Sequence, residues 1–150
     1  IEHGFTEMTM AMSLGLMGAT DIVGTLLSGW LCDRFNHRKL LAFYYALRGL
    51  SLIGLPYVES TGQLMLFSVI YGLNWLSTVP VTSTLTADLF GRRNVGVVFG
   101  WICCAHQIGA AAAAYLAGYL HSLVSNYNLA FVCSGAFALL AMLIVTRIRE

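Results

Sequence analysis

The chain has 150 residues, of which 58% are hydrophobic and 10% charged, with a formal net charge of +1. Soluble domains carry about 25% charged residues, so this composition cannot cover a globular surface with polar groups, and a net charge near zero gives no basis for nucleic-acid binding. A mean hydropathy of +0.75 points instead to an all-α, polytopic helical membrane protein.

The four cysteines, Cys32, Cys103, Cys104 and Cys133, lack metal-ligand spacing and read as small packing residues. No metal and no cofactor is expected. The chain starts at Ile1 without a basic leader region or a cleavage site, so residues 6–31 are not a signal peptide, and the start reads as a cut through a longer protein.

A bilayer core needs about 20 apolar residues per helical crossing. Five stretches meet that length: residues 6–31, 40–58, 64–87, 95–120 and 128–146. In the first, Gly18, Asp21, Thr25 and Ser28 recur at helical spacing and make a small, polar stripe that should face protein or a cavity. Residues 29–39, GWLCDRFNHRK, then concentrate charges that the bilayer interior excludes, and read as a tight loop between two crossings. The second stretch carries Arg48 inside it and Pro56 in its last turn. The third is rich in hydroxyls around Pro80, which frees a backbone carbonyl, so a kinked or broken helix is predicted there. In the fourth, Gly109, Ala113 and Ala117 share one face, a pattern that lets two helices approach closely.

The charges orient these crossings. Arg34, Arg38, Lys39, Arg92, Arg93, Arg147 and Arg149 occupy two loops and the C-terminal end, whereas residues 1–5, 59–63 and 121–127 contain no Lys or Arg. This split places the basic loops and the C-terminus in the cytoplasm and the N-terminal end outside, as five crossings require.

At this point the residues resemble a family. Gly29, Asp33, Arg34, Arg38 and Lys39 stand as in the cytoplasmic signature loop of the major facilitator superfamily, with Asn36 where the family has Gly. Asn tolerates a left-handed backbone, so the turn is expected to survive. The resemblance implies that the five crossings are helices eight to twelve of twelve, a partial C-terminal transmembrane domain over residues 1–150. The loop around Leu89, Gly91, Arg92 and Arg93, with Gly96 and Gly100, and the passage around Arg48 resemble bacterial members near the oxalate:formate antiporter and monocarboxylate transporter branches. The implied setting is a plasma membrane, a bacterial inner one. The implied partners are the lipid bilayer, a small-molecule substrate, a proton, and the missing N-terminal half with the seventh helix. No independent transport is expected from these residues alone.

Within that frame Asp33 and Arg34 would make a cytoplasmic gate through charge-assisted contacts with neighbouring helix ends, or simply a solvated turn. At 1.5 Å per residue, Asp21, Arg48 and His106 lie about 15, 12 and 16 Å in from the basic ends of their helices, near the middle of a core about 30 Å thick. An ion pair between Asp21 and Arg48 is open. Arg48 could attract an anionic substrate, and Asp21 and His106 could pass protons; the alternative is a structural pair beside a hydrogen-bonded histidine. Asn74, Trp75 and Thr78 could contact a small ligand, as could Gln107, or could serve helix packing. No phosphate-binding glycine loop, zinc-protease motif or catalytic triad occurs, so no catalytic residues are assigned and the chain does not read as an enzyme. The functional expectation is a secondary transporter, antiporter or symporter, for a small organic anion. A proton-coupled exporter of hydrophobic compounds and a non-transporting receptor or scaffold on the same fold are the alternatives.

Overall fold

The computed structural model describes residues 5–148; the lead-in at Ile1–Gly4 and the terminal Arg149 and Glu150 lie outside the described residues. Six α-helices follow one another: α1 (Glu7–Cys32), α2 (His37–Gly54), α3 (Thr61–Gly72), α4 (Thr78–Phe90), α5 (Val95–Val124) and α6 (Asn128–Thr146). A 3₁₀ turn at Leu55–Tyr57, where Pro56 sits, extends α2. Four of these, α1, α2 with its extension, α5 and α6, are long and apolar enough to cross a membrane. Helices α3 and α4 have 12 and 13 residues, about 18–20 Å each at 1.5 Å per residue. Neither alone is long enough to reach across; together they occupy the third apolar stretch, the one predicted to break.

The starts of the helices are specified locally. Thr6 accepts from the Thr9 N–H to open α1, and Asn36 accepts from the Lys39 N–H at 3.1 Å to open α2. Ser60 and Gln63 form a reciprocal capping box at α3. Asn36 therefore adopts an extended backbone (φ −60°, ψ 121°) as a cap, not the left-handed turn expected of it. Its side chain offers a cap acceptor that glycine lacks.

The crossings alternate in direction. His37 at the start of α2 meets Asp88 near the end of α4, and Arg38 donates to the Ile148 carbonyl beyond α6. The basic connections thus share one end. Residues from the start of α1, the end of α2, the end of α5 and the start of α6 line a common cavity at the other end. Helix α2 packs most extensively on α6, and α1 on α3 and α4. The fully buried side chains are Val81, Asn74, Ser28, Ser68 and Ser77. Four of these five are polar, while Leu, Ile, Val, Phe and Trp dominate the exposed surface. That is the pattern of a chain solvated by lipid, where small and polar groups mediate helix contact.

Glycines set the closest approaches. A Cβ on Gly24 would collide with the Leu73 backbone, and one on Gly72 with Thr20 and Met17, so α1 and α3 cross backbone to backbone. Gly49 and Gly135 do the same for α2 and α6. Other small residues behave differently from expectation. Gly18 is exposed with open space around it, so it leaves the polar stripe of α1, whose buried members are Ser13, Gly24, Ser28 and Cys32. Gly109 also faces open space, and no residue of α5 is buried; the helix meets its neighbours α4 and α6 mainly near its ends. Cys32 is buried as predicted, but Cys103, Cys104 and Cys133 are exposed. Sequence spacing identifies a face without saying whether a helix lies against it.

Gly24→Ala should lower the thermal unfolding midpoint of the full-length protein in detergent by overpacking, a cost of about 1–3 kcal/mol. Gly18→Ala should leave the midpoint unchanged or slightly raised, and equal loss in both variants would contradict the crossing geometry.

Candidate functional site

The chain between α3 and α4, Leu73 to Ser77, is not α-helical, so its backbone groups need partners from outside a helical ladder. Non-helical backbone at membrane depth is tolerated where protein buries it or where it lines a cavity. The physical cause of the break is Pro80 in the first turn of α4. It has no N–H to give the Leu76 carbonyl, which accepts instead from Val79 N–H at 2.9 Å. The other four carbonyls find side chains. Ser77 Oγ donates to Leu73 O at 2.6 Å, and Ser28 Oγ on α1 donates to Ser77 O at 2.5 Å. Arg48 Nη2 on α2 donates to both Asn74 O (2.7 Å) and Trp75 O (2.5 Å). On the donor side, Leu76 N–H is held by Asp21 Oδ1 on α1 at 2.8 Å.

Asp21 and Arg48 therefore meet at the break. The direct ion pair left open by the sequence does not form: no salt bridge joins them, and each charge is spent on backbone. The arrangement follows helix electrostatics. The carboxylate sits just before α4, the positive end of a helix dipole, and the guanidinium just past the end of α3, the negative end.

Polar groups remain unmatched. Asn74 is fully buried, and neither its amide nitrogen nor its oxygen has a partner; Arg48 Nε and Thr25 Oγ1 are also buried and unpartnered. Buried polar atoms are rarely left so, and each costs about 1–3 kcal/mol. Trp75, by contrast, is 45% exposed and packs edge-on to Tyr71 at 5.8 Å, continuing a stack from Phe67. Thr78 begins α4, half-buried, and its carbonyl accepts from Thr82 Oγ1. The structure thus gathers Asp21, Arg48, Asn74, Trp75 and Thr78 around one break. It does not bring His106 and Gln107 there; both lie on the fully exposed middle of α5. A cavity of about 450 Å³ between Phe5, Pro56 and Tyr127 lies at the non-basic end and contains none of these groups.

At the basic end, Gly29 contacts nothing that a Cβ would disturb and Asp33 is an exposed helix cap. Arg34 lies over the Trp30 ring at 4.1 Å, and Lys39 is exposed. The contacts between helices expected of Asp33 and Arg34 come instead from Arg38, through Ile148, and from His37, through Asp88. Ser77 takes the part expected of the hydroxyls around Pro80, whereas the specific partners of His37 and Ser28 were not legible. Ser28 carried a sequence signal, its place in the polar stripe; His37 carried none beyond its position in the loop.

A family model of the Major Facilitator Superfamily matches residues 1–150. Among curated proteins, monocarboxylate transporter 13 of Rattus norvegicus is 30% identical over 138 residues, 91% of this chain and 32% of that protein. Monocarboxylate transporter 12-B of Danio rerio is 27% identical over 145 residues, covering 94% and 30%. An uncharacterized MFS-type transporter, YcxA of Bacillus subtilis (strain 168), is 28% identical over 122 residues, 77% of this chain and 30% of that protein. The chain spans about a third of the length of these relatives. No solved structure matches it.

Asp21→Asn keeps an oxygen for Leu76 N–H, whereas Asp21→Ala orphans it. Thermal melts of the full-length protein should show Asp21→Asn near wild type and Asp21→Ala less stable by about 1–3 kcal/mol. The reverse order would mean that the charge, not the hydrogen bond, holds the break.

Proposed function

From the premise that the chain belongs to the major facilitator superfamily, we propose that it forms part of a secondary active transporter. The cargo is a small organic anion, moved by alternating access between this bundle and the rest of the polypeptide, an N-terminal half and a seventh helix. The exposed face of α5, with Gly109, Ala113 and Ala117, is one surface available to that remainder. The basic end faces the cytoplasm, by the distribution of Lys and Arg. The single observation that carries the reading is Asn74: a fully buried amide without a partner, on a broken helix, beside the unpartnered Nε of an arginine.

A protein that needed Asn74 only for packing would be better served by leucine, which has nearly the same shape and no polar atoms to desolvate. Retaining the amide makes sense if a ligand uses it. Asn74 Nδ2 and Arg48 Nε are both donors and suit a carboxylate; the second Arg48 nitrogen, clamped to two carbonyls, fixes the guanidinium so that Nε stays aimed. Both groups are buried in this conformation, so the anion reaches them only as the helices around the break part. Broken helices near the midplane recur as binding elements in transporters because they expose backbone and helix ends without a lipid-facing cost. Trp75 and Thr78 flank the break as ligand contacts. Asp21 is placed to trade its bond to Leu76 for a proton, and His106 and Gln107 act only if the remainder of the protein folds over α5.

The test is flux in proteoliposomes holding the full-length protein, with small carboxylates offered with and without a pH gradient. Wild type should show saturable carboxylate movement. Asn74→Leu should fold at least as well yet raise KM about 10- to 100-fold, the worth of a hydrogen bond to a charged group at about 1.5–3 kcal/mol. Export of a hydrophobic dye without carboxylate flux would retire the anion and leave Asp21 as the proton site of an exporter. Absence of all flux, with no aqueous thiol labelling of cysteines placed at Thr25 or Thr78, would make the protein a receptor or scaffold.

A further inference from the structure

His37, the first residue of α2, touches two other helices at once. Its Nδ1 lies 2.6 Å from Asp88 Oδ2 on α4, and its Nε2 lies 2.9 Å from the Cys32 carbonyl that ends α1. Both opposing atoms, a carboxylate oxygen and a carbonyl oxygen, are acceptors. A neutral imidazole has one N–H and can serve one of them; the other contact would then set lone pair against lone pair. While the carboxylate is ionised, only a ring carrying both protons satisfies both.

We propose that His37 is a proton-operated latch that clamps the ends of α1, α2 and α4 together when charged and can hold only one of α1 and α4 when neutral. The proton is the ligand, and its site is the ring between Asp88 and Cys32. The side chains of His37 and Asp88 are 20% and 45% exposed, so water reaches the pair. The surrounding charges do not replace the bond. Asp33 on the α1 side is exposed, Arg34 is stacked on Trp30, and Arg38 is directed to Ile148 O beyond α6. Lys39 on α2, Arg92 and Arg93 after α4, and Arg147 after α6 are exposed and carry no salt bridge to Asp88. The sign follows directly. The latch is complete where His37 is charged and loses the ion pair and one hydrogen bond where it is neutral. The consequence reaches the break, because α4 continues directly from Leu73–Ser77 and α1 holds that segment through Asp21 and Ser28.

The buried Cys32 thiol is a native reporter beneath the latch. Full-length protein in nanodiscs would be treated with a neutral maleimide, and labelling of the Cys32 peptide read by mass spectrometry, which separates it from Cys103, Cys104 and Cys133. Rates are divided by those of His37→Lys at the same pH, which cancels the rise in thiol reactivity and keeps a permanent charge in the latch. The wild-type ratio should be near one at about pH 5.5 and rise several-fold by about pH 8. A ratio that stays flat overturns the latch. Asp88→Asn gives an independent reading should His37→Lys misfold: its labelling relative to wild type should be several-fold higher at acidic pH and converge on one at alkaline pH, and equality throughout overturns the proposal. Neither measurement needs a transported substrate or a membrane orientation, so the latch and the transport reading fail separately.

Discussion

The carbonyl groups of Leu73 to Ser77 impose the constraint on which this structure turns. A helix that breaks in hydrocarbon must have every freed backbone group satisfied from within the protein. Five carbonyls are freed or re-aimed here, and all five are accounted for: by Ser77, Arg48 twice, Val79 and Ser28. Three of those five bonds come from other helices. The break therefore exists only while α1 and α2 hold it, and the bundle cannot rearrange around α3 and α4 without moving Asp21 and Arg48.

This explains why two charges are kept where they are expensive. An isolated charge at the bilayer centre is costly, and an ion pair offsets only part of that. Asp21 and Arg48 avoid the choice between bare burial and direct pairing, since each finds the helix end of opposite polarity. It also explains the glycines. Asp21 and Ser28 are short side chains; they reach the break because Gly24, between them in sequence, lets α1 lie directly on Leu73, and Gly72 does the same from the other side. Close backbone approach and polar satisfaction are thus one design, which leaves Asn74, Arg48 Nε and Thr25 Oγ1 unmatched.

The basic end shows the same economy with different chemistry. Its arginines are mostly turned to solvent or to a ring face, and the bonds that join helices there run through Arg38 to a carbonyl and through His37 to a carboxylate and a carbonyl. Since α1 and α4 take part both at this end and at the break, the two regions share their supports.

Hydrophobic runs, the Pro80 region and the distribution of Lys and Arg by themselves determined that this chain is a polytopic helical membrane protein, that its third apolar stretch breaks, and which connections are basic. These are local properties, set by lengths of apolar sequence and by a missing N–H. Asp21, Arg48, Asn74, Trp75 and Thr78 were also legible as special, because polar groups at membrane depth are few. Which partners they take was not legible. Asp21 and Arg48 suggested each other, and only the packing of α1 and α2 on α3 and α4 assigned them to a backbone 26 to 55 residues away in sequence. The same limit hid His37, misplaced Gly18, and left the small face of α5 open where close packing was expected. A helical repeat shows which residues share a face, but what that face meets depends on crossings between distant segments, and those are decided in three dimensions.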